Sequence, residues 1–366
     1  MTAFISTRLR PQFVVLLVAV LWFHASGPAL AQIRSDEHVV FFPTPARLAD
    51  DGQFWKTEIH GWIYEPDSDS VVRRKAIDAL LAVAKPDDAA RDSAVFRKRI
   101  NLFLVDNQRG KTISIRVGDA TFELESSEAD GHFRRALRIP IATADKLADA
   151  GRVPFHAVTA KNDDRRFVGS IHLVAPTGLS VISDIDDTIK ITEVTDRKKT
   201  LDNTFFQPFR AVEGMPALYR RWAAAGAQFH FLSNSPWQLC SPLAEFAQAE
   251  RFPPATFHLK KFRLQDGGLT DLFAAPAATK IPEIERLLRA YPQRGFVLVG
   301  DSGERDPEIY GRIARAFPNQ IRRIFIRDVT DEPATAARYM EAFRELPPDR
   351  WKLFRDPTQL SLPSGE

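Results

Sequence analysis

The sequence predicts an α/β protein in two parts: a parallel sheet flanked by helices over residues 179–345, preceded by a β-rich, sandwich-like region over 32–175. Three observations predict it. From residue 179 onward, short apolar runs alternate with amphipathic stretches, as expected of strands covered on both faces by crossover helices. Before residue 175, strand-like runs are separated by turns rich in Gly, Asp and Asn. A chain of 366 residues also has room for about two domains.

The amino terminus reads as a leader. Arg8 and Arg10 precede the apolar stretch Phe13 to Phe23; Gly27 and Pro28 break it, and Ala29-Leu30-Ala31 fits a small-x-small cleavage site. The apolar run is shorter than the ~20 residues that span a bilayer, which favours a cleaved signal over residues 1–31 and an exported, periplasmic or extracellular protein. The single cysteine, Cys240, excludes a disulfide within the chain and a Cys-based metal site. The net charge of +3 on a chain that is 27% charged, with cations spread along it, gives no reason to expect nucleic acid.

Within the β-rich region, Trp55 to Tyr64 alternates as a strand and stops at Glu65-Pro66. Val71 to Val83 has helical spacing. Lys111 to Val117, Thr121 to Leu124, Phe133 to Ile141 and Phe167 to Val174 are further strands, and Ala175-Pro176-Thr177-Gly178 is a linker. The second part has strands at 179–183, 227–232, 255–259, 296–300 and 322–327, with helices at 214–225, 238–250, 280–290 and 306–316. One more helix, about 333–345, leads into a Pro-containing tail over 346–366.

Four polar stations stand at the ends of these strands or at helix starts, where open α/β sheets place their chemistry. They are Asp184-Ile185-Asp186-Asp187-Thr188; Ser233-Asn234; Lys280; and Asp301 through Asp306. The set suits hydrolysis of a phosphate ester. Asp184 would attack phosphorus and form an aspartyl-phosphate, and Asp186 would protonate the leaving oxygen and then activate water. A dianionic phosphate repels bare carboxylates, so a divalent cation is expected, and all-oxygen ligation by Asp184, Asp301 and the main chain at Asp186 favours Mg²⁺. Ser233 and Asn234 would bind phosphate oxygens, and Lys280 would neutralise the charge that develops. Thr188 would fix the turn through backbone bonds, and Asp306 would hold Lys280 or a metal-bound water, or simply cap its own helix. An EF-hand is excluded, because Ile189 stands where that loop needs Gly. His230 and His258 lie in strand-like runs without metal-ligand spacing.

These stations, in this order, resemble the haloacid dehalogenase superfamily of aspartyl-phosphate phosphatases over about residues 179–330. Asp184-Ile-Asp-Asp-Thr-Ile-Lys190, Ser233-Asn-Ser-Pro-Trp237, Gly300-Asp-Ser-Gly303 and Asp306-Pro-Glu-Ile-Tyr310 resemble, more narrowly, the actin-patch-associated phosphatidate phosphatases. Gly61 to Pro66 is similar to a segment before the catalytic domain in bacterial members. The resemblance implies a Rossmann-like sheet with a small cap insertion. It also implies Mg²⁺-dependent conversion of phosphatidate to diacylglycerol, with Asp184 and Asp186 as the catalytic pair. The family's actin-associated role does not follow, since the chain reads as exported and lacks a Pro-rich ligand segment.

The stretch 189–213 reads as a lid, with Phe205, Phe206 and Phe209 beside Arg197, Lys198, Lys199 and Arg210. Aromatic and basic residues together suit an anionic membrane surface, with Trp237, Lys260 and Lys261 on the same rim, so peripheral membrane contact is an expectation. Two alternatives stay open: a soluble phosphomonoester in the same pocket, and a non-enzymatic binding protein on a phosphatase scaffold. Oligomeric state is not legible.

Overall fold

The computed structural model describes residues 33–66, 71–261 and 276–363; the leader-like segment 1–31 lies outside the described residues. The first part contains strands β1 (His38–Phe41), β2 (Thr44–Leu48) and β3 (Phe54–Pro66). Helices α1 (Val71–Ala84), α2 (Asp88–Arg91) and α3 (Ala94–Asn101) follow. Next come β4 (Val105–Asn107), β5 (Ser114–Val117), β6 (Ala120–Glu123), β7 (His132–Pro140), α4 (Ile141–Leu147), β8 (Arg152–Ala157) and β9 (Val168–Val174). Among the described residues these nine strands form one hydrogen-bonded sheet, in the order β1-β3-β2-β9-β8-β5-β6, with β4 and β7 also on β3. The 13-residue β3 makes this continuity possible. It pairs with β7 from Phe54 to Trp62, with β2 near its start and with β1 and β4 near its end.

The second part runs β10 (Leu179–Ser183), α5 (Arg197–Phe205), α6 (Met215–Ala224), β11 (Gln228–Pro236), α7 (Cys240–Ala249) and β12 (Ala255–Lys260). It continues with α8 (Pro276–Ala290), β13 (Gly295–Asp301), α9 (Asp306–Ala316), β14 (Ile321–Arg327), α10 (Ala337–Ala342) and β15 (Trp351–Phe354). Its six strands are all parallel, in the order β12-β11-β10-β13-β14-β15. The mixed α/β class and the parallel sheet are therefore as the sequence predicts. β10 is central, and Val181 and Ile182 are fully buried, which is why this strand reads as mostly apolar, with Ser180 and Ser183 the exceptions. The segment beyond 345, read as a tail, supplies β15 at the sheet edge.

The two parts share a core. Phe42, Trp62, Leu80, Phe96 and Phe103 of the first pack in one apolar cluster with Ile185, Phe205, Phe206 and Trp237 of the second. This corrects the lid reading. Phe205 and Phe206 do not face outward; they are 0% and 3% exposed. Phe206 stacks on Phe96 with ring centroids 4.6 Å apart, and Phe205 meets Phe103 edge-on at 5.6 Å. Aromatic rings buried against α3 and Phe103 cannot enter a headgroup layer, so Phe205 and Phe206 supply no part of a membrane rim. Trp237 is likewise buried, 4.2 Å from the Phe42 ring.

Candidate active site

The site begins where β10 ends. Asp184 N donates to Val299 O at 2.8 Å, which keeps the chain beside β13 for one more residue. The chain then turns through Asp187, a non-glycine residue with φ of 52°. Asx side chains tolerate this left-handed conformation because they can bond locally. Here the Asp187 carboxylate accepts from Thr192 N and Glu193 N, both at 2.8 Å, and from Val194 N at 2.6 Å. Arg327 Nη1 donates to Asp187 O at 2.7 Å and ties the turn to β14. The expectation for Thr188 is corrected: its hydroxyl is buried with no hydrogen-bond partner among the described residues, and Asp187 holds the turn instead.

Two clusters result. In the first, Lys280, buried on α8, reaches Asp184 Oδ1 at 2.7 Å, Asp306 Oδ1 at 2.7 Å and Glu304 Oε2 at 2.9 Å. Lys280 lies inside α8 rather than at its start. Asp301 leaves the end of β13, and its Oδ1 accepts from Gly303 N at 2.6 Å and Glu304 N at 3.0 Å. Gly300 makes room for this arrangement, since a Cβ there would collide with the Asp306 carboxylate. Asp306 is the first residue of α9 and does not cap it; its second oxygen accepts from Asp301 N at 3.3 Å. Carboxylate oxygens of Asp184, Asp301 and Asp306 all lie within 4.8 Å of one another.

In the second cluster, Asp186 Oδ2 accepts from Ser233 Oγ at 2.8 Å and Ser235 Oγ at 3.2 Å. Its Oδ1 accepts from Thr192 Oγ1 at 2.9 Å and pairs with Lys190 Nζ at 2.9 Å. The Asp186 carboxylate is committed to this cluster, which leaves the expected main-chain ligand at Asp186 untouched, and the third carboxylate near those of Asp184 and Asp301 is that of Asp306. Asn234 bridges the stations, accepting from Thr279 Oγ1 at 2.7 Å and reaching Glu304 Oε2 at 3.5 Å.

The electrostatics of the clusters are opposite. Burial pushes Asp184 well above the usual carboxylate range; Lys280 opposes this, while Asp306, Glu304 and Asp301 add to it. Burial likewise raises Asp301, reinforced by Asp306 and Glu304. Burial alone would raise Asp186, but Lys190 and the hydroxyls of Ser233 and Thr192 outweigh it and hold the group at about 2. Burial disfavours the Lys280 ammonium, yet Asp184, Asp306 and Glu304 together keep it firmly charged. One buried ammonium thus faces four carboxyl groups, an imbalance that is costly in a dry site. Asp184 Oδ1 has its ion pair but no hydrogen bond, and Oδ2 of Asp184 and Oδ2 of Asp301 have no hydrogen-bond partner among the described residues. Buried, orphaned, hard oxygens on converging acids fit a divalent cation.

Sequence reasoning assigned no role to Glu304, Asp187, Lys190, Thr192, Ser235 or Arg327. Glu304 had a visible signal, three residues after Asp301 in a Gly-containing loop. Lys190 follows Asp186 at a spacing of four without a helix, so its ion pair depends on a turn that periodicity does not show. His230 and His258 are buried in a polar chain: His230 contacts Ser180 at 3.2 Å and Thr256 at 2.8 Å, and His258 contacts Thr256 at 2.8 Å and also Glu283. Cys240 is buried.

A parallel α/β sheet carrying an acid–lysine cluster at its strand ends is an arrangement that can support phosphoryl transfer. Comparison with known proteins agrees. Residues 179–328 match the family model described as phosphatidate phosphatase APP1, catalytic domain. Phosphatidate phosphatase APP1 of Saccharomyces cerevisiae is 39% identical over 158 residues, which is 42% of this chain and 26% of that protein. An uncharacterized protein of Schizosaccharomyces pombe is 34% identical over 172 residues, 46% of this chain and 28% of that protein. The chain therefore spans little more than a quarter of the length of these curated relatives. Among solved structures, a putative β-phosphoglucomutase from Thermotoga maritima aligns with 49% of this chain and 94% of its own, at 12% identity and a TM-score of 0.29, too weak a likeness to bear on fold or activity.

Proposed function

We propose that the protein is a Mg²⁺-dependent phosphatidate phosphatase that works through an aspartyl-phosphate. One observation carries the reading: within a segment that matches the APP1 catalytic-domain model, carboxylate oxygens of Asp184, Asp301 and Asp306 converge within 4.8 Å beside Lys280, and buried oxygens of Asp184 and Asp301 are left without a hydrogen bond. Asp184 and Asp301 would hold the ion, with Asp306 the third carboxylate in reach. Bound there, Mg²⁺ would supply Lewis-acid charge neutralisation for the phosphate dianion.

The chain's own groups account for the rest. Asp184 attacks phosphorus in line, a P–O bond to Asp184 forms and the P–O bond to the glyceryl oxygen breaks. Lys280 sits 2.7 Å from the attacking carboxylate, where it offsets charge carried by the transferring group. Asp186 gives the leaving oxygen its proton. Lys190 favours the ionised form of Asp186, so the free site holds the base needed to activate water in the second half. Arrival of a dianionic phosphate nearby raises the Asp186 pKa through like charge, which favours the protonated form needed in the first half.

The same reading makes 189–213 the small cap of a haloacid-dehalogenase-like fold and the nine-stranded sheet its sandwich-like partner domain. It extends to an exported enzyme, on the basic, apolar and small-residue pattern of residues 8–31. The test compares kcat/KM for phosphatidate with that for sugar phosphates and nucleotides, with Mg²⁺ and with EDTA. A preference for phosphatidate abolished by EDTA supports the reading. A large preference for a soluble ester would falsify the lipid assignment while keeping the chemistry.

A further inference from the structure

A cavity of about 330 Å³ opens beside the acid–lysine cluster, with Ser233 and Lys280 in its wall. Its second wall comes from the nine-stranded sheet. Glu58 and His60 of β3 and Arg134 of β7 line it, and all three precede the family-matched segment 179–328. Their convergence follows from strand geometry. His60 and Arg134 are directly paired across β3 and β7, and Glu58 lies two residues along β3 on the same face. Arg134 Nη1 donates to Glu58 Oε1 at 2.6 Å. A guanidinium has five N–H donors, so this bond leaves donors for an acceptor in the cavity. Leu232, Trp237 and Phe257 add apolar surface from the catalytic part.

We propose that the nine-stranded sheet forms half of the substrate site, and that Arg134 binds the ester carbonyls of a glyceryl diester whose phosphate lies at Lys280 and Ser233. This deepens the phosphatidate reading and rests on it. The ester carbonyls of such a lipid accept hydrogen bonds and donate none, which complements a guanidinium set beside apolar walls. The volume supports the same assignment. It stands at the low end of the ~300–1,000 Å³ of ligand sites, enough for a phosphorylated glycerol with its ester groups but not for two long acyl chains, which must leave through the mouth. The matched catalytic segment alone would bind phosphate but lack the wall that reads the alcohol.

The experiment uses the full chain and two unreactive probes, with affinity measured by calorimetry in the presence of Mg²⁺. One is the phosphonate analogue of dihexanoyl phosphatidate, with CH₂ in place of the bridging oxygen; the other is methylphosphonate. Arg134 is 38% exposed, so its substitution leaves the core intact. The wild-type protein should prefer the diacyl probe, and Arg134→Ala should lower that preference by roughly tenfold, as expected for a hydrogen bond from a charged donor, with Arg134→Lys restoring part of it. A preference unchanged by Arg134→Ala, equal weakening of both probes, or no preference in the wild type would overturn the proposal. Phosphate release from dihexanoyl phosphatidate by the wild type tests the reaction separately. Arg134-dependent binding without turnover would leave the wall standing and defeat the phosphatase reading.

Discussion

Among the described residues, Lys280 is the one cation that meets Asp184, Glu304 and Asp306 together, and it is 1% exposed. Removing one member of a buried charge set leaves the others uncompensated. Lys280→Met is therefore expected to cost roughly 3–5 kcal/mol of stability in urea unfolding without added metal, and about 10²-fold or more in kcat. Added Mg²⁺ should recover more stability in this variant than in the wild type, because the ion replaces missing positive charge. Wild-type stability in the variant would mean that the acids are already neutral and that Lys280 organises nothing.

At the scale of elements, β9 carries a pH response. Burial, assisted by Arg152, pushes His172 down to about 4 from its ordinary 6.5. Between those values the unfolded chain binds a proton that the folded chain does not. Stability therefore falls as pH drops from 6.5 to about 4, by roughly 3 kcal/mol from this residue if the full shift is realised. His172→Gln should flatten the dependence of the urea midpoint on pH across that window. A slope identical to the wild type's would contradict the assignment. At the exit of β13, Gly300→Ala would push Asp306 away from Lys280, so turnover should fall while the helix that begins at Asp306 persists by circular dichroism.

The elements also show what could be read from residues alone. β10 to β13 are buried on both faces, and their largely apolar runs announced them, although β11 continues four residues past the expected 232. β1, β8 and β15 are short and mixed in polarity, and they exist because longer strands offer edges to pair with. α5 was misread for a related reason. Its aromatic and basic composition was plain, but the exposure of Phe205 and Phe206 is set by α3, a hundred residues earlier in the chain. The order of the acidic and lysine stations was legible because each closes a strand or sits in the helix that follows one. The partners Lys190, Thr192 and Ser235 were not, since they depend on the backbone path after Asp187 and after Ser233.

At the scale of the molecule, the two sheets are joined through a common core, and the stacked pair Phe96–Phe206 lies in that joint. Phe206→Ala should cost roughly 3–5 kcal/mol of stability and leave binding to anionic vesicles unchanged. Weakened vesicle binding with unchanged stability would instead restore the membrane-rim role. On the proposed reading the joint also bears on activity, because it holds Arg134 opposite the acid–lysine cluster.

The central claim is that Asp184 is the nucleophile of a metal-assisted phosphatase. Phosphate release from phosphatidate by the wild-type and Asp184→Asn proteins, with Mg²⁺ and with EDTA, tests it most directly. The account predicts Mg²⁺-dependent release by the wild type that falls roughly 10³-fold or more in the variant. Equal release by the two proteins would contradict it.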